Sequence, residues 1–346
     1  MSIKRILKWS LALIAAGAAV AAAISAYGYY IVKMQTVELA ETAYIYITPD
    51  DNSSTIMRKI EAVTGNASTK GFAMLAEHNK FDSRKRSGKF AINNGESMYD
   101  IYRRIVSNEQ TPVKLTVPST RTVPQLVGTL CRQLMIDSLE LSEFTTHKIY
   151  ISRIGYNEAT LPSLFIPDTY EVYWNIKPER LMIKLMEERT KFWNSTRMAK
   201  AKALGLTPEQ VATLASIVDE ETNSNEEKPI VAGLYINRLK RGMPLQADPT
   251  VKFALGDPTR RRILNSDLEV ESPYNTYKHT GLPPGPIRIP TKQALESVLN
   301  YTKHDYLYMC AKEDFSGRHN FAKSLGEHNA NARRYQQALN KRNIKK

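Results

Sequence analysis

The chain has 346 residues, 42% hydrophobic and 24% charged, with a formal net charge of +13. This balance excludes a disordered polymer, and the length suffices for two domains with cores of their own. The positive charge raises the question of a nucleic-acid partner, which the N-terminus answers.

Lys4, Arg5 and Lys8 precede a stretch from Trp9 to Val32 that contains no charged residue. A run of that length spans a bilayer as a helix, and basic residues ahead of it place the N-terminus in the cytoplasm and the remainder outside. Residues 1–8 are therefore predicted to be a cytoplasmic N-terminus and residues 9–32 a transmembrane helix. The competing reading is a cleaved signal peptide ending at Ala21 and Ala23. Against it, the apolar run continues through Tyr27, Tyr29, Tyr30, Ile31 and Val32, with tyrosines where an interfacial belt would lie. An exported domain meets lipid headgroups and wall polymers and no nucleic acid. The basic runs Arg84-Lys-Arg86, Arg260-Arg-Arg262 and 341–346 then read as solvated surface.

Further along, Ala43-Tyr-Ile-Tyr-Ile-Thr48 has strand composition and Ser53 opens a helix. Residues 88–105 read as strand, Asn-Gly turn and Ser97-capped helix. Leu115-Thr-Val-Pro118 begins a second domain as a strand, and helical patterns follow at 123–135, 139–147 and 180–204. Thr207, Pro208 and Gln210 form a capping box with proline at the first helical position. The next helix, Pro229 to Gly242, reads as amphipathic with Gly242 closing it. Residues 243–290 suggest short β segments and turns, 291–300 a helix, Tyr306-Leu-Tyr-Met-Cys310 a strand, and the end a polar basic helix from about 326. Helices and strands without regular βαβ alternation indicate α+β. Cys131 and Cys310 read as free thiols in small core positions, and six scattered histidines without an HExxH pattern predict no metal and no cofactor.

The Thr207-capped helix carries Leu214-Ala-Ser-Ile-Val-Asp-Glu-Glu-Thr222. At about 100° per residue, Val211, Leu214, Ala215 and Val218 share one stripe, and Glu221 falls in or beside it. Glu220 points roughly opposite, toward solvent, and Asp219 lies on a flank. A partly buried glutamate holds its proton near neutral pH and can give it to a leaving group. The pattern alone leaves open a glutamate that bends out or pairs with an arginine.

Three blocks follow: Gln246-Ala-Asp-Pro-Thr250, Tyr274-Asn-Thr-Tyr277 and Gly281-Leu-Pro-Pro-Gly-Pro-Ile287. With Ala215-Ser-Ile-Val-Asp-Glu-Glu-Thr222 before them and Tyr306-Leu-Tyr308 and His319-Asn-Phe321 after them, they resemble the endolytic murein transglycosylase family, membrane-anchored enzymes with a YceG-like domain. Pro162-Ser163 and Ser119-Thr120 depart from the acidic-Gly and Glu-Gly pairs usual there.

The resemblance implies a LysM-like subdomain and connector at 33–114, either glycan-binding or a packing module, and a mixed α+β catalytic domain at 115–346. It implies that Glu221 is the catalytic acid, with Gln246, Asp248, Asn275, Thr276 and Tyr277 lining a groove walled by the Gly281-to-Gly285 loop. The reaction implied is lytic. The 6-hydroxyl of N-acetylmuramic acid attacks its own anomeric carbon, so nascent strands end in a 1,6-anhydro ring and elongation terminates. Implied partners are peptidoglycan glycan strands, the bacterial inner membrane and peptidoglycan synthases, with the catalytic domain in the periplasm. Three other readings remain at this point: a hydrolase using Asp248 beside Glu221, a noncatalytic wall-binding scaffold, and a membrane-surface adaptor for the synthesis machinery.

Overall fold

The structure, a computed structural model, describes residues 3–65, 67–257, 260 and 263–342. Of the basic runs, Arg261, Arg262 and residues 343–346 lie outside the described residues. The chain divides into two compact units: Met1–Lys114 with Glu171–Asn175, and Leu115–Tyr170 with Ile176–Lys346.

The first unit begins with α1 (Ile3–Tyr29), whose residues from Leu7 to Tyr27 are all exposed. A helix apolar on every side and exposed over that length fits a single-pass membrane anchor. The apolar run does not stay uniform to its end. Tyr30–Met34 form a wider helical turn, and Ile31 is buried. β1 (Ala43–Ile47), α2 (Ser53–Val63), α3 (Lys70–His78), β2 (Gly88–Ile92) and α4 (Met98–Val106) complete the unit's main elements.

β1 and β2 pair antiparallel with Ile45 opposite Phe90 and Ile47 opposite Gly88. Their inward residues Ile45, Ile47, Phe90 and Ile92 join Ile56, Ile60, Phe72, Ile101 and Ile105 in one core. Ser97 caps α4 as its sequence predicts, and Asp100 makes the cap reciprocal by accepting the Ser97 N–H. Gly71 on α3 lets the backbone of Ile31 approach, since a Cβ there would sit 2.4 Å from the Ile31 carbonyl oxygen.

β3 (Val113–Val117) and β4 (Asp168–Val172) form a two-stranded sheet, and between them in sequence the second unit has α5 (Val123–Cys131), α6 (Ser138–Thr146) and α7 (Lys148–Arg153). The helix expected over 180–204 is two helices, α8 (Pro178–Phe192) and α9 (Ser195–Leu204). Asn194 breaks it, because its side chain accepts the Arg197 N–H as the cap of α9.

Next come α10 (Pro208–Glu221), α11 (Lys228–Lys240), α12 (Asp248–Ala254), α13 (Lys292–Leu299), β5 (Tyr308–Ala311), β6 (His319–Ala322) and α14 (Leu325–Lys341). The expected β segments across 243–290 are absent among the described residues. In their place are α12, a short 3-10 turn at Asn265–Glu269 and an isolated bridge from Pro244 to Thr280. β5 begins two residues later than the predicted Tyr306 and pairs antiparallel with β6. α11 ends before Gly242, which takes the left-handed φ of 64° expected of it.

α10 is the centre of this unit. The sequence predicts an apolar stripe, yet every residue from Val211 to Asp219 is buried. Val211, Leu214, Ile217 and Val218 join α11 and α13 residues in the core, each fully buried side chain of this size contributing ~1.5–3 kcal/mol. The polar residues among them are satisfied locally. Ser216 donates to the Thr213 carbonyl and accepts the Ile287 N–H. Asp219 accepts from Thr291 N and Oγ1 and is paired with Lys228 at 2.7 Å. α11 likewise is buried nearly all round, so its predicted amphipathicity is not realised.

Candidate active site

Glu221 is the last residue of α10, and Thr222 closes the helix with its N–H on the Val218 carbonyl. A helix sheathed in core along its length delivers its final side chain to wherever that core opens. Here the opening is a cavity of about 280 Å³ lined by Glu221, Tyr235, Arg238, Gln246, Asp248, Tyr277, Cys310 and His319, among others.

Burial pushes the Glu221 carboxyl up from 4.5 to about 7. Opposing it, the Tyr235 hydroxyl donates a 2.6 Å hydrogen bond to Glu221 Oε1. Asp248 and Glu220 raise the value further by charge, and Arg238 lowers it. Tyr235 is buried on α11, and burial with the neighbouring Glu221 charge holds its phenol far above the ordinary range, so it remains a donor. The arrangement is an acid poised near neutrality with a fixed donor on one oxygen.

Glu220 does not face solvent. Its two carboxylate oxygens meet Arg121 and Arg288, each at 3.0 Å, and Arg288 also donates to Ser119. The predicted solvent exposure fails because α10 is enclosed on all sides, leaving its opposite face to these arginines. Asp219 is likewise an interior ion-pair partner of Lys228.

The downstream residues divide. Gln246, Asp248 and Tyr277 line the cavity. Gln246 holds a φ of 51°, which costs a non-glycine residue energy that its surroundings must offset. Its N–H bonds the Thr276 carbonyl, and its Oε1 accepts from Arg238 Nη1. Asp248 lies at the start of α12 rather than in a loop and accepts the Tyr277 hydroxyl at 2.5 Å. Burial and that bond raise the Tyr277 phenol.

Asn275 and Thr276 do not reach the cavity. Both are buried; Asn275 Nδ2 donates to the Leu268 and Val270 carbonyls, and Thr276 Oγ1 accepts the Ala247 N–H. They fasten the loops that carry Tyr277 and Gln246. The Gly281-to-Gly285 loop is not among the cavity's lining residues either. A Cβ on Gly285 would fall 1.9 Å from the Ala159 carbonyl oxygen, and Ile287 is tied to Ser216 on α10.

Two polar lining residues that sequence reading passed over come from α11. Tyr235 and Arg238 are three residues apart, hence on one face. Arg238 is buried, donating from Nε to Leu307 O at 2.6 Å and from Nη1 to the Pro244 and Leu245 carbonyls. A tyrosine and an arginine at that spacing, on a helix whose centre from Ile230 to Ile236 carries no charge, were the available signal. Cys131 and Cys310 are free and only partly buried; burial raises both thiols.

The sequence model of the YceG-like family matches residues 45–334. An endolytic murein transglycosylase of Bacillus subtilis (strain 168) is 34% identical over 220 residues, covering 63% of this chain and 59% of that protein. One from Streptococcus pneumoniae (strain ATCC BAA-255 / R6) is 28% identical over 297 residues, 75% of this chain and 52% of that protein. The chain thus spans between half and three fifths of the length of these curated relatives. The crystal structure of a yceG-like protein from Listeria monocytogenes superposes with a TM-score of 0.55 at 25% identity, covering 84% of this chain and 99% of that one. With the family match running from residue 45 to residue 334, through residues of both compact units, the chain belongs to the YceG-like family.

Proposed function

We propose that this chain is a membrane-anchored endolytic peptidoglycan lytic transglycosylase that cuts nascent glycan strands between N-acetylmuramic acid and N-acetylglucosamine. The observation that carries the reading is the Glu221 carboxyl, held up to about 7 in a cavity with a hydrogen-bond donor fixed on Oε1. An acid of that strength protonates the bridging glycosidic oxygen near neutral pH. The resulting carboxylate then accepts the proton of the sugar's own 6-hydroxyl as that oxygen closes on the anomeric carbon. The C–O bond to the leaving sugar breaks, a 1,6-anhydro ring forms, and the proton returns to Glu221. No water is consumed. The similarity to two endolytic murein transglycosylases supports this chemistry.

Gln246, Asp248 and Tyr277 are the substrate-binding side chains in this reading, with Asn275 and Thr276 holding their loops. Residues 1–8 lie in the cytoplasm, the segment 9–32 carries the inner-membrane span, with Ile31 at its end already packed into the first unit, and 115–346 form the periplasmic catalytic domain. Residues 33–114 form the LysM-like subdomain, a reading supported by two helices enclosed between paired strands over one core. Anchoring keeps the acid near new strands and their synthases, where cutting terminates elongation.

Digestion of purified glycan strands followed by mass analysis tests the proposal. Fragments ending in 1,6-anhydro-N-acetylmuramic acid are expected. Reducing N-acetylmuramic acid ends as the main product would favour the second reading, hydrolysis with Asp248 as partner carboxylate, which its place in the same cavity permits.

A further inference from the structure

His319, at the start of β6, lines the same cavity as Glu221. Beneath it lies Glu227, a buried carboxylate just ahead of α11. Glu227 Oε1 accepts the His319 backbone N–H at 2.8 Å, and Oε2 is 3.2 Å from His319 Nδ1. Oε2 also accepts the hydroxyl of Thr222, the residue immediately after the acid, at 3.1 Å. The end of α10, the start of α11 and the start of β6 are thereby joined through one carboxylate. Asn320, the next residue on the strand, turns its amide to Glu313 instead and does not line the cavity.

A carboxylate only accepts, so Nδ1 must carry the hydrogen of that contact. In the neutral ring this leaves Nε2 as the bare acceptor. Among the described residues no group is hydrogen-bonded to Nε2. A ring locked in one tautomer, on the wall of a cavity that also holds an acid, is built to receive a polar hydrogen from whatever occupies that cavity.

We infer that His319 contacts substrate, its Nε2 accepting a hydrogen bond from a hydroxyl or acetamido N–H of the amino sugar bound beside Glu221, and that Glu227 is the positioning residue fixing the ring's tautomer. The inference rests on the glycan-cleaving reading above. A histidine used this way selects a sugar with a donor at that position and fixes the ring plane against the acid.

The test uses the full-length chain in detergent micelles acting on purified glycan strands. His319→Ala is expected to lower kcat/KM roughly 10- to 100-fold, with a modest fall in thermal midpoint because buried Glu227 loses one donor. His319→Gln, whose amide oxygen can reach the place of Nε2, should recover part of that loss. Glu227→Gln should lower kcat/KM less than His319→Ala. Its ¹⁵N-histidine spectrum, assigned by comparison with His319→Gln, should show the His319 ring as a mixture of tautomers. If wild type cleaves and His319→Ala matches it, or if Gln is no better than Ala, the inference fails while the glycan-cleaving reading stands. A single Nδ1-protonated tautomer retained in Glu227→Gln overturns the positioning role. Should His319→Ala not fold, His319→Phe, which keeps a ring but has no acceptor at the place of Nε2, decides: wild-type kcat/KM in that variant overturns substrate contact. A wild-type chain that cleaves no glycan brings down both readings, and is recognised as such before any variant is made.

Discussion

Replacing Glu221 with glutamine removes the proton but keeps the volume, and the structure assigns the change two opposite effects. Glu221 keeps its proton up to about 7, against an ordinary carboxyl value of 4.5. Between those values the folded chain binds more protons at this site than the unfolded chain, so stability falls as pH rises through the window and levels off above it. At ~1.4 kcal/mol per pH unit, ionising Glu221 in place costs the fold ~3 kcal/mol by about pH 8. The amide escapes that penalty and still accepts the Tyr235 hydroxyl. Glu221→Gln should therefore match wild type in denaturant unfolding below about pH 4 and exceed it by up to ~3 kcal/mol at about pH 8. Glycan cleavage should fall by about 10²–10⁴ or more, the usual contribution of a general acid-base group. A variant that is more stable and inactive is hard to explain by misfolding. Equal or lower stability at the alkaline end, or near-normal cleavage, would refute the assignment of a buried acid.

Tyr235→Phe deletes the donor that favours the ionised form of Glu221, so the carboxyl should rise by about one further pH unit and the alkaline limb of kcat/KM should move up with it; an unmoved limb would count against Tyr235 acting on the acid. Asp248→Asn should weaken binding or rate and leave the product anhydro-ended, whereas a switch in end group would give Asp248 a chemical role. For the anchor, Ile31 is already part of the first unit's packing against Gly71. A soluble chain starting at Tyr30 should therefore keep that unit's stability, and one starting at Met34 should lose ~2–4 kcal/mol, as urea unfolding of the two truncations will show.

Local chemistry written over a few residues was readable from sequence. The Thr207–Gln210 box, the Ser97 cap, the strand at Ala43 and the left-handed Gly242 each depend on neighbours within one turn. What escaped depends on surroundings that no window contains. A stripe of apolar residues was visible on α10, but Thr213, Ser216 and Asp219 on its other faces look like solvent-facing residues until their partners at Glu209, Ile287, Lys228 and Thr291 are known. The break at Asn194 was missed for the opposite reason: flanking residues with good helical propensity hid a capping signal. Asp248-Pro-Thr reads as a turn, and it is equally a helix start with proline in its first turn.

The site shows the same division, and it bears on how the acid arises. Two adjacent carboxylates end α10, separated by about 100° around the helix axis. The difference between them is not intrinsic. Glu220 meets two guanidinium groups, one following the β3 strand and one following the proline-rich loop. Glu221 meets a phenol from α11, with its charged neighbours in the cavity too mixed in sign to offset burial. The paired Glu220 also secures the last turn of α10 on the side away from the cavity, so Glu221 enters it from a fixed direction. Sequence could nominate Glu221 from its place beside the stripe. Only the convergence of α11, the Gln246 and Tyr277 loops and the β5–β6 hairpin explains why this glutamate, and not the one before it, keeps a proton to give.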